Sequence, residues 1–334
     1  MDKYINKIIN ADGLEIIRQL PSKSINLICI DPPYNIGRDS WDIIVDYYDW
    51  MSDYFIEFNR ILKDNGSFFM FHNDFRTLAE LDRRIQYKTQ FVYKNFIVWN
   101  KRFDGSPNKG FLDGFIVVED LNNFQKMVEY IIFYTFNNSY KLLEKRKQLN
   151  ITQSTIGKEI LSKTGGLTGW YSNIEMGKNY PTKKTIKPIT KYLGLTIDDI
   201  VPKFRNQKTH HSVWNYDLDH KKYGHITPKP VNLIENIILH TTDENDICLD
   251  CFGGSGSLAV AAIKTNRQYI LIEKNENYCK IANDRISNIK TGILIPTIKN
   301  TIRKKSKKEQ ENILKEKIKE KEEILNNQNN KSKE

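Results

Sequence analysis

The sequence predicts an α/β protein with a mostly parallel, Rossmann-like sheet and an all-α insertion. Three observations carry this expectation. Short apolar runs alternate with amphipathic helical stretches early in the chain, the same rhythm resumes late around a glycine-rich turn, and the block between them is helical in style throughout.

The elements follow in order. Leu27 to Ile30 reads as a central strand, being short, almost wholly apolar and free of Gly or Pro. It delivers Asp31 to the carboxyl edge of the sheet, where open α/β folds bind ligands. Pro32 and Pro33 follow and donate no backbone N–H, so the loop "DPPYN" is stiff and offers acceptors beside the ring of Tyr34. "DYYDWMSDYFIEFNRILK" has helical spacing, "GSFFMF" and "NFIVWN" read as strands, and a Gly-, Asn- and Lys-bearing loop runs from Lys101 to Gly114. "VEYIIFYTF" is a further strand. From Lys141 to about Lys203 the pattern is wholly helical, before "HHSVWNYD" returns to extended character. "ENDICLDCFGGSGSLAVAAIK" and "RQYILIEKNENYCKIANDRI" restore the βα rhythm. The expected division is therefore a core of residues 1–140 with 204–295, an inserted block 141–203, and a charged tail 296–334 with few apolar residues.

Composition narrows the function classes. A formal charge of +10, from 51 Lys and Arg against 41 Asp and Glu, favours a polyanionic partner. The amino terminus is mixed and polar, and the apolar stretches fall far short of the ~20 residues that cross a bilayer, so a soluble, cytoplasmic protein without membrane association is expected. Cys29, Cys248, Cys251 and Cys279 are scattered among apolar segments and read as reduced core thiols. Cys248 and Cys251 have the spacing of half a zinc site, but no second pair lies nearby, so no metal is expected.

"DICLDCFGGSGSLAVAA" reads as a strand, a glycine turn and a helix start. Its glycines let the backbone approach a ligand, and the N–H groups of the following helix favour a negative group. The run "GSGSLA" also satisfies the dinucleotide fingerprint, with Glu273 about 20 residues on, so these residues alone leave NAD and other nucleoside cofactors open.

"DPPY" at 31–34, with "FGGSGS" downstream at 252–257, resembles the amino-methyltransferases that modify exocyclic nitrogens of DNA bases, in the permuted order that places the catalytic motif before the cofactor motif. "IINADGLEIIRQLPSKSINLICIDPPYN", "NRILKDNGSFFMF", "HITPKP" and "NENYCKIANDRI" agree with it, so the resemblance spans nearly everything but the inserted block and the tail. It implies the S-adenosylmethionine-dependent methyltransferase fold, with a mostly parallel seven-stranded sheet. It also implies a catalytic group of Asp31, Pro32, Pro33 and Tyr34, in which the Asp31 carboxylate and the Pro32 carbonyl accept the two amino hydrogens and Tyr34 stacks on the flipped-out base. On the same resemblance S-adenosyl-L-methionine is held by Phe252, Gly254 and Gly256 around its methionine portion, Asp250 near its ammonium, Glu273 on its ribose, Lys229 on its carboxylate and Asp12 at its adenine end. Pro228 stands where the family usually has Gln and Cys251 where it usually has Pro, and each departure touches methionine binding. Asp12 also reads as a helix cap, Lys229 as a surface lysine and Phe252 as core.

The inserted block resembles helix-turn-helix domains of phage-repressor type, with Thr152 capping a second helix and "LTGWYSNIEMGKNYP" as recognition helix. That nominates Thr168, Trp170, Tyr171 and Asn173 for base edges and Gln153 for phosphate, although "KTGGLTG" lengthens the turn. The expected partner is double-stranded DNA; a cognate restriction endonuclease and a homodimer stay open. The leading expectation is a site-specific adenine-N6 DNA methyltransferase linked to restriction-modification or a mobile element. A cytosine-N4 enzyme, or a helix-turn-helix regulator with secondary or no methyl transfer, is the alternative. A cytosine-C5 enzyme is disfavoured because that chemistry needs a nucleophilic Cys, and Cys29 lies inside a strand.

Overall fold

The structure, a computed structural model of the chain, describes residues 1–36, 42–101, 103, 127–161, 168–179, 181–204, 211–219 and 228–290. Most of the loop at 101–114, most of "KTGGLTG", the start of "HITPKP" and the tail 296–334 lie outside the described residues.

The first part of the chain builds β1 (Lys7–Asn10), α1 (Gly13–Ile17), β2 (Ile25–Ile30), α2 (Tyr47–Ile61), β3 (Leu62–His72), α3 (Phe75–Lys88), β4 (Val92–Asn100) and β5 (Val128–Thr135). The helical block contains α4 (Tyr140–Gln148), α5 (Gln153–Ile156), α6 (Thr168–Glu175) and α7 (Lys183–Leu193). The rest supplies β6 (Val213–Asn215), α8 (Val231–Thr241), β7 (Ile247–Asp250), α9 (Ser257–Lys264), β8 (Gln268–Glu273) and α10 (Glu276–Lys290). The strands form one sheet in the order β1-β8-β7-β2-β3-β5-β4-β6.

Among the described residues eight strands stand in the sheet where the resemblance implied seven; the short edge strand β6, paired with β4, is among them. A second feature is strand direction. β5 runs antiparallel to both β3 and β4, within a sheet expected to be mostly parallel; the sequence did not say which strand would be the exception. Direction is set by how the connection returns, and an alternating rhythm does not specify it.

Alternation along the central strands builds two cores. Ile28 and Ile30 of β2, with Phe68 and Met70 of β3, face a cluster completed by α1, α2 and α3. Leu27 and Cys29, with Phe69 and Phe71, face the opposite cluster formed with α8, α9 and α10. A strand buried on both faces favours apolar residues throughout, which is why "INLICI" lacks the polar alternation of a one-sided strand; its one polar residue, Asn26, is buried and donates to Asp246 Oδ1 at 2.7 Å. The helical block has its own core, in which Leu142, Ile156, Tyr171, Ile174, Ile186, Ile189 and Leu193 are fully buried. Among the described residues no helix is long and apolar enough to cross a membrane.

β2 and β7 are parallel neighbours with Leu27 beside Cys248 and Ile28 beside Leu249, so Asp31 and Asp250 leave the sheet at the same edge. The chain reverses its winding between them. A crevice opens at such a switch point.

Candidate active site at the carboxyl edge of the sheet

A cavity of about 1080 Å³ lies at this edge and is lined by both motif loops. Its lining includes Asp31, Pro32, Pro33 and Tyr34 from the proline loop, Asp250, Phe252, Gly254 and Ser257 from the glycine turn, and Asp12 and Glu273. All the residues nominated for catalysis and most of those nominated for a cofactor thus share one space. Gly256 sits behind the lining as the first residue outside α9.

The glycine turn is shaped by close packing. Gly256 has φ 83°, a left-handed conformation, and a Cβ there would meet the Ala282 Cβ at 2.8 Å. A Cβ on Gly253 would lie 2.6 Å from Leu271 Cγ. Glu273 holds the turn from β8, accepting from the Gly254 N–H at 2.7 Å through Oε2 and from the Asn275 N–H at 2.7 Å through Oε1. Buried Arg285 clamps the turn from behind, donating to the Ser255 carbonyl at 2.7 Å and to its hydroxyl at 2.8 Å. Phe252 forms a wall with Tyr54 and Trp50, ring centroids 4.9 and 5.7 Å away. Asp250, at the end of β7, accepts from the Phe252 N–H at 2.9 Å, and burial pushes its carboxyl up to about 8. Asp12 caps α1 by accepting from the Leu14 N–H at 3.0 Å, so the cap reading and the cavity reading hold together.

A nucleoside ligand with hydroxyls and an ammonium fits this donor set. The glycine cradle admits backbone approach, Asp12, Asp250 and Glu273 supply carboxylates, and Phe252 supplies an aromatic face.

The proline loop is tied more tightly than its sequence suggests. Tyr34 Oη donates to Asp31 Oδ1 at 2.6 Å, with Glu129 Oε2 3.3 Å away, and its ring leans on His72 at 4.6 Å between centroids. The Pro33 carbonyl accepts from Tyr47 Oη at 2.7 Å. Buried Asp42 accepts from the N–H groups of Asn35 and Ile36 at 2.7 and 3.1 Å. Asp31 thereby stands on a fixed loop at the cavity wall with its side chain 28% exposed.

Lys229 lines the cavity and is buried rather than on the surface. Its Nζ lies 2.5 Å from Asp31 Oδ2, 3.4 Å from Glu129 Oε2 and 3.2 Å from Tyr34 Oη, so in this structure it is paired with the Asp31 carboxylate. Burial works against the Lys229 ammonium, but Asp31 and Glu129 more than offset it and raise its affinity for the proton. Glu129, opposite Trp99 in the β4–β5 pairing, is also ion-paired to Lys101. Burial would raise the Glu129 carboxyl, but Lys229 and Lys101 hold it down at about 2. Sequence reasoning missed Glu129, Lys101, Trp50 and Tyr54. The available signal was a lone carboxylate inside the apolar run "VEYIIFYT".

In the helical block, Thr152 caps α5 by accepting from the Thr155 N–H. Tyr171, nominated for base contact, is instead fully buried with its hydroxyl 3.2 Å from Glu175 Oε1. The spacing that places it early on α6 also turns it inward. Gln153 Nε2 donates to Glu175, which pairs with Arg146 at 2.6 Å. The Thr168 side chain packs where a Cβ on Gly157 would come within 2.1 Å of its Oγ1. Trp170 and Asn173 are half-buried.

Comparison with known proteins gives the family and the fold. The chain matches the DNA methylase family of N6 and N4 enzymes over residues 25–284. It is 28% identical over 297 residues to the DNA adenine methyltransferase YhdJ of Escherichia coli (strain K12), covering 84% of this chain and 82% of that one. It is also 28% identical over 288 residues to the type II methyltransferase M1.MboII of Moraxella bovis, covering 84% and 95%. Among solved structures, the cytosine-N4-specific PvuII DNA methyltransferase superposes with a TM-score of 0.55 at 16% identity, covering 84% of this chain and 85% of that one. TTHA0409 from Thermus thermophilus, complexed with S-adenosyl-L-methionine, does so with a TM-score of 0.50 at 18%, covering 84% and 93%. At these identities the structural matches speak for the fold alone.

Proposed function

The chain belongs to the N6/N4 DNA methylase family, and from that premise we propose that it methylates the N6 amino group of a flipped-out adenine at a specific site in duplex DNA. It is a DNA methyltransferase, and S-adenosyl-L-methionine is its cofactor. The single observation that carries the catalytic reading is Asp31, a carboxylate fixed on a proline loop at the wall of the cavity that also holds the glycine turn.

When bound, the cofactor supplies a methyl group on a sulfonium, an electrophile that needs only a correctly aimed lone pair. The chain's own residues do the aiming. An adenine amino nitrogen is a poor nucleophile because its lone pair is delocalised into the ring. Asp31 Oδ and the Pro32 carbonyl accept its two hydrogens and draw the nitrogen toward tetrahedral geometry, so the catalysis is orientation and electrostatics rather than a covalent intermediate. Tyr34 supplies an aromatic face for the base and a hydroxyl that keeps Asp31 oriented. Phe252, Gly254, Gly256, Asp250, Glu273 and Asp12 hold the cofactor. Extruding the base costs a few kcal/mol, offset by the pocket and by phosphate contacts of a basic chain.

The helical block 141–203 reads DNA in this proposal, with Thr168, Trp170 and Asn173 toward the bases and the lysines around it toward phosphates. Adenine is favoured because the relatives YhdJ and M1.MboII are named as adenine and type II methyltransferases and the motif opens on Asp. The second name also favours a restriction-modification setting with a cognate endonuclease.

The test is mass spectrometry of nucleosides from unmethylated plasmid DNA incubated with the protein and S-adenosyl-L-methionine. N6-methyladenine is the expected product, and N4-methylcytosine would keep the mechanism and overturn the base. The absence of either, with cofactor binding verified, would make the helical block the working part and the chain a binding protein.

A further inference from the structure

The ammonium of Lys229 has two anionic partners in one buried place, Asp31 Oδ2 at 2.5 Å and Glu129 Oε2 at 3.4 Å. Its backbone is pinned to the start of α9, where Ser257 Oγ donates to the Lys229 carbonyl at 2.8 Å. From there its side chain reaches both carboxylates. Lys229 is 9% exposed and Glu129 is 8% exposed, so neither charge is easily left without a partner. Asp31 has both oxygens occupied, Oδ1 by Tyr34 and Oδ2 by Lys229. In this arrangement an incoming amino group must share an oxygen that Tyr34 or Lys229 already engages, and the ammonium on Oδ2 competes with it for the charge of the carboxylate.

We propose that Glu129 is the holding site for Lys229 during turnover: the ammonium leaves Asp31 Oδ2 for Glu129 when an amino group takes its place, so the acceptor is released without stranding a buried charge. Glu129 is then a positioning residue, acting through Lys229 and never touching the base. Lys101, paired with Glu129 from the end of β4, balances the second carboxylate, so the four groups Asp31, Lys229, Glu129 and Lys101 alternate in sign. The inference rests on Asp31 being the catalytic acceptor.

Glu129→Gln keeps the shape of the side chain and removes the charge. Its single-turnover methylation rate is expected to fall roughly tenfold or more, while the KM for DNA and the calorimetric affinity for S-adenosylhomocysteine stay near those of the parent protein. Loss of S-adenosylhomocysteine binding would assign Glu129 to the cofactor pocket and overturn the proposal. Glu129→Asp keeps the charge and is expected to recover most of the rate; it also serves if the glutamine variant folds poorly by its melting temperature. An Asp variant as slow as the Gln variant would overturn a role for charge. In a cycle with Lys229→Met, the double variant should be no slower than Lys229→Met alone, and additive losses would show that Glu129 does not act through Lys229. Asp31→Ala separates the two layers. If it retains methyl transfer, the reading of Asp31 fails; if it is inactive while Glu129→Gln turns over normally, only the role of Glu129 fails.

Discussion

Lys229 Nζ donates to Asp31 Oδ2 at 2.5 Å, which joins a residue beside the glycine turn to the carboxylate of the proline loop across 198 positions of sequence. The pair lies where two parallel strands end side by side. Its removal should therefore affect folding as well as chemistry.

Lys229→Met leaves Asp31 and Glu129 as two anions bridged by Tyr34. Breaking a buried pair by deleting one partner costs about 3 kcal/mol or more, so a drop of several degrees in melting temperature is expected together with severe loss of methyl transfer. Lys229→Arg should not rescue activity, because a planar fork cannot occupy the space of a compact ammonium between three oxygens. Differential scanning fluorimetry and a filter-based methylation assay check both outcomes.

The low Glu129 carboxyl predicts an acid dependence of stability. Its folded value is depressed from the ordinary 4.5 to about 2, so the stabilisation from its lysine partners is fully present above 4.5 and is lost as pH falls toward 2. Acid titration of the wild-type protein should show unfolding steeper in this window than for Glu129→Gln, as followed by circular dichroism.

Asp250 predicts the opposite sign. Burial raises its carboxyl from 3.8 to about 8, so the free protein loses stability as pH rises through that interval, and Asp250→Asn should remove this loss. If the ionised form is what holds the cofactor's ammonium, affinity for S-adenosyl-L-methionine should rise between about pH 6 and 7.5, by at most roughly tenfold per pH unit. Calorimetry on Asp250→Asn should show a flat profile over the same range; an unchanged slope would remove Asp250 from cofactor binding.

The Gly256 position is strained for any other residue. Gly256→Ala must hold a side chain at φ 83° and place its Cβ 2.8 Å from the Ala282 Cβ. The left-handed conformation costs about 1 kcal/mol and the overpacking about 1–3 kcal/mol, so a loss of roughly 2–4 kcal/mol is expected in denaturant unfolding. Cofactor binding should weaken with it, because the turn that Glu273 and Arg285 fix is displaced.

Much of the fold was legible because its rules are local. The doubly buried strand before Asp31, the amphipathic helix at 47–61 and the glycine turn each announce themselves over a few residues. The antiparallel course of β5 was not legible, since it depends on how a long connection returns to the sheet. The site followed the same division. Asp31 and the glycine turn are motif residues at the ends of strands. Glu129 reaches the site because β5 runs antiparallel to β3, which brings its amino end to the edge where Asp31 leaves β2, and Lys101 because β4 ends at that edge, so no spacing in the sequence brings them to Asp31. The partner of Lys229 was hidden for the same reason.

The helical block offers the clearest separation of folding from recognition. Tyr171 and Asn173 lie two residues apart on α6, yet Tyr171 is fully buried in the core of the block while Asn173 is only half-buried. Tyr171→Ala removes a core aromatic and strands Glu175 with one donor fewer, so it should destabilise the block by about 3–5 kcal/mol. Asn173→Ala leaves that packing intact. If the block reads DNA through α6, this variant should keep the parental melting temperature and cofactor affinity while losing roughly 1–3 kcal/mol of discrimination between its own site and unrelated duplex. Competition binding with the mapped methylation site against scrambled DNA reads this directly. An Asn173→Ala protein whose site preference is unaltered, with Trp170→Ala and Thr168→Ala behaving alike, would move recognition off this helix.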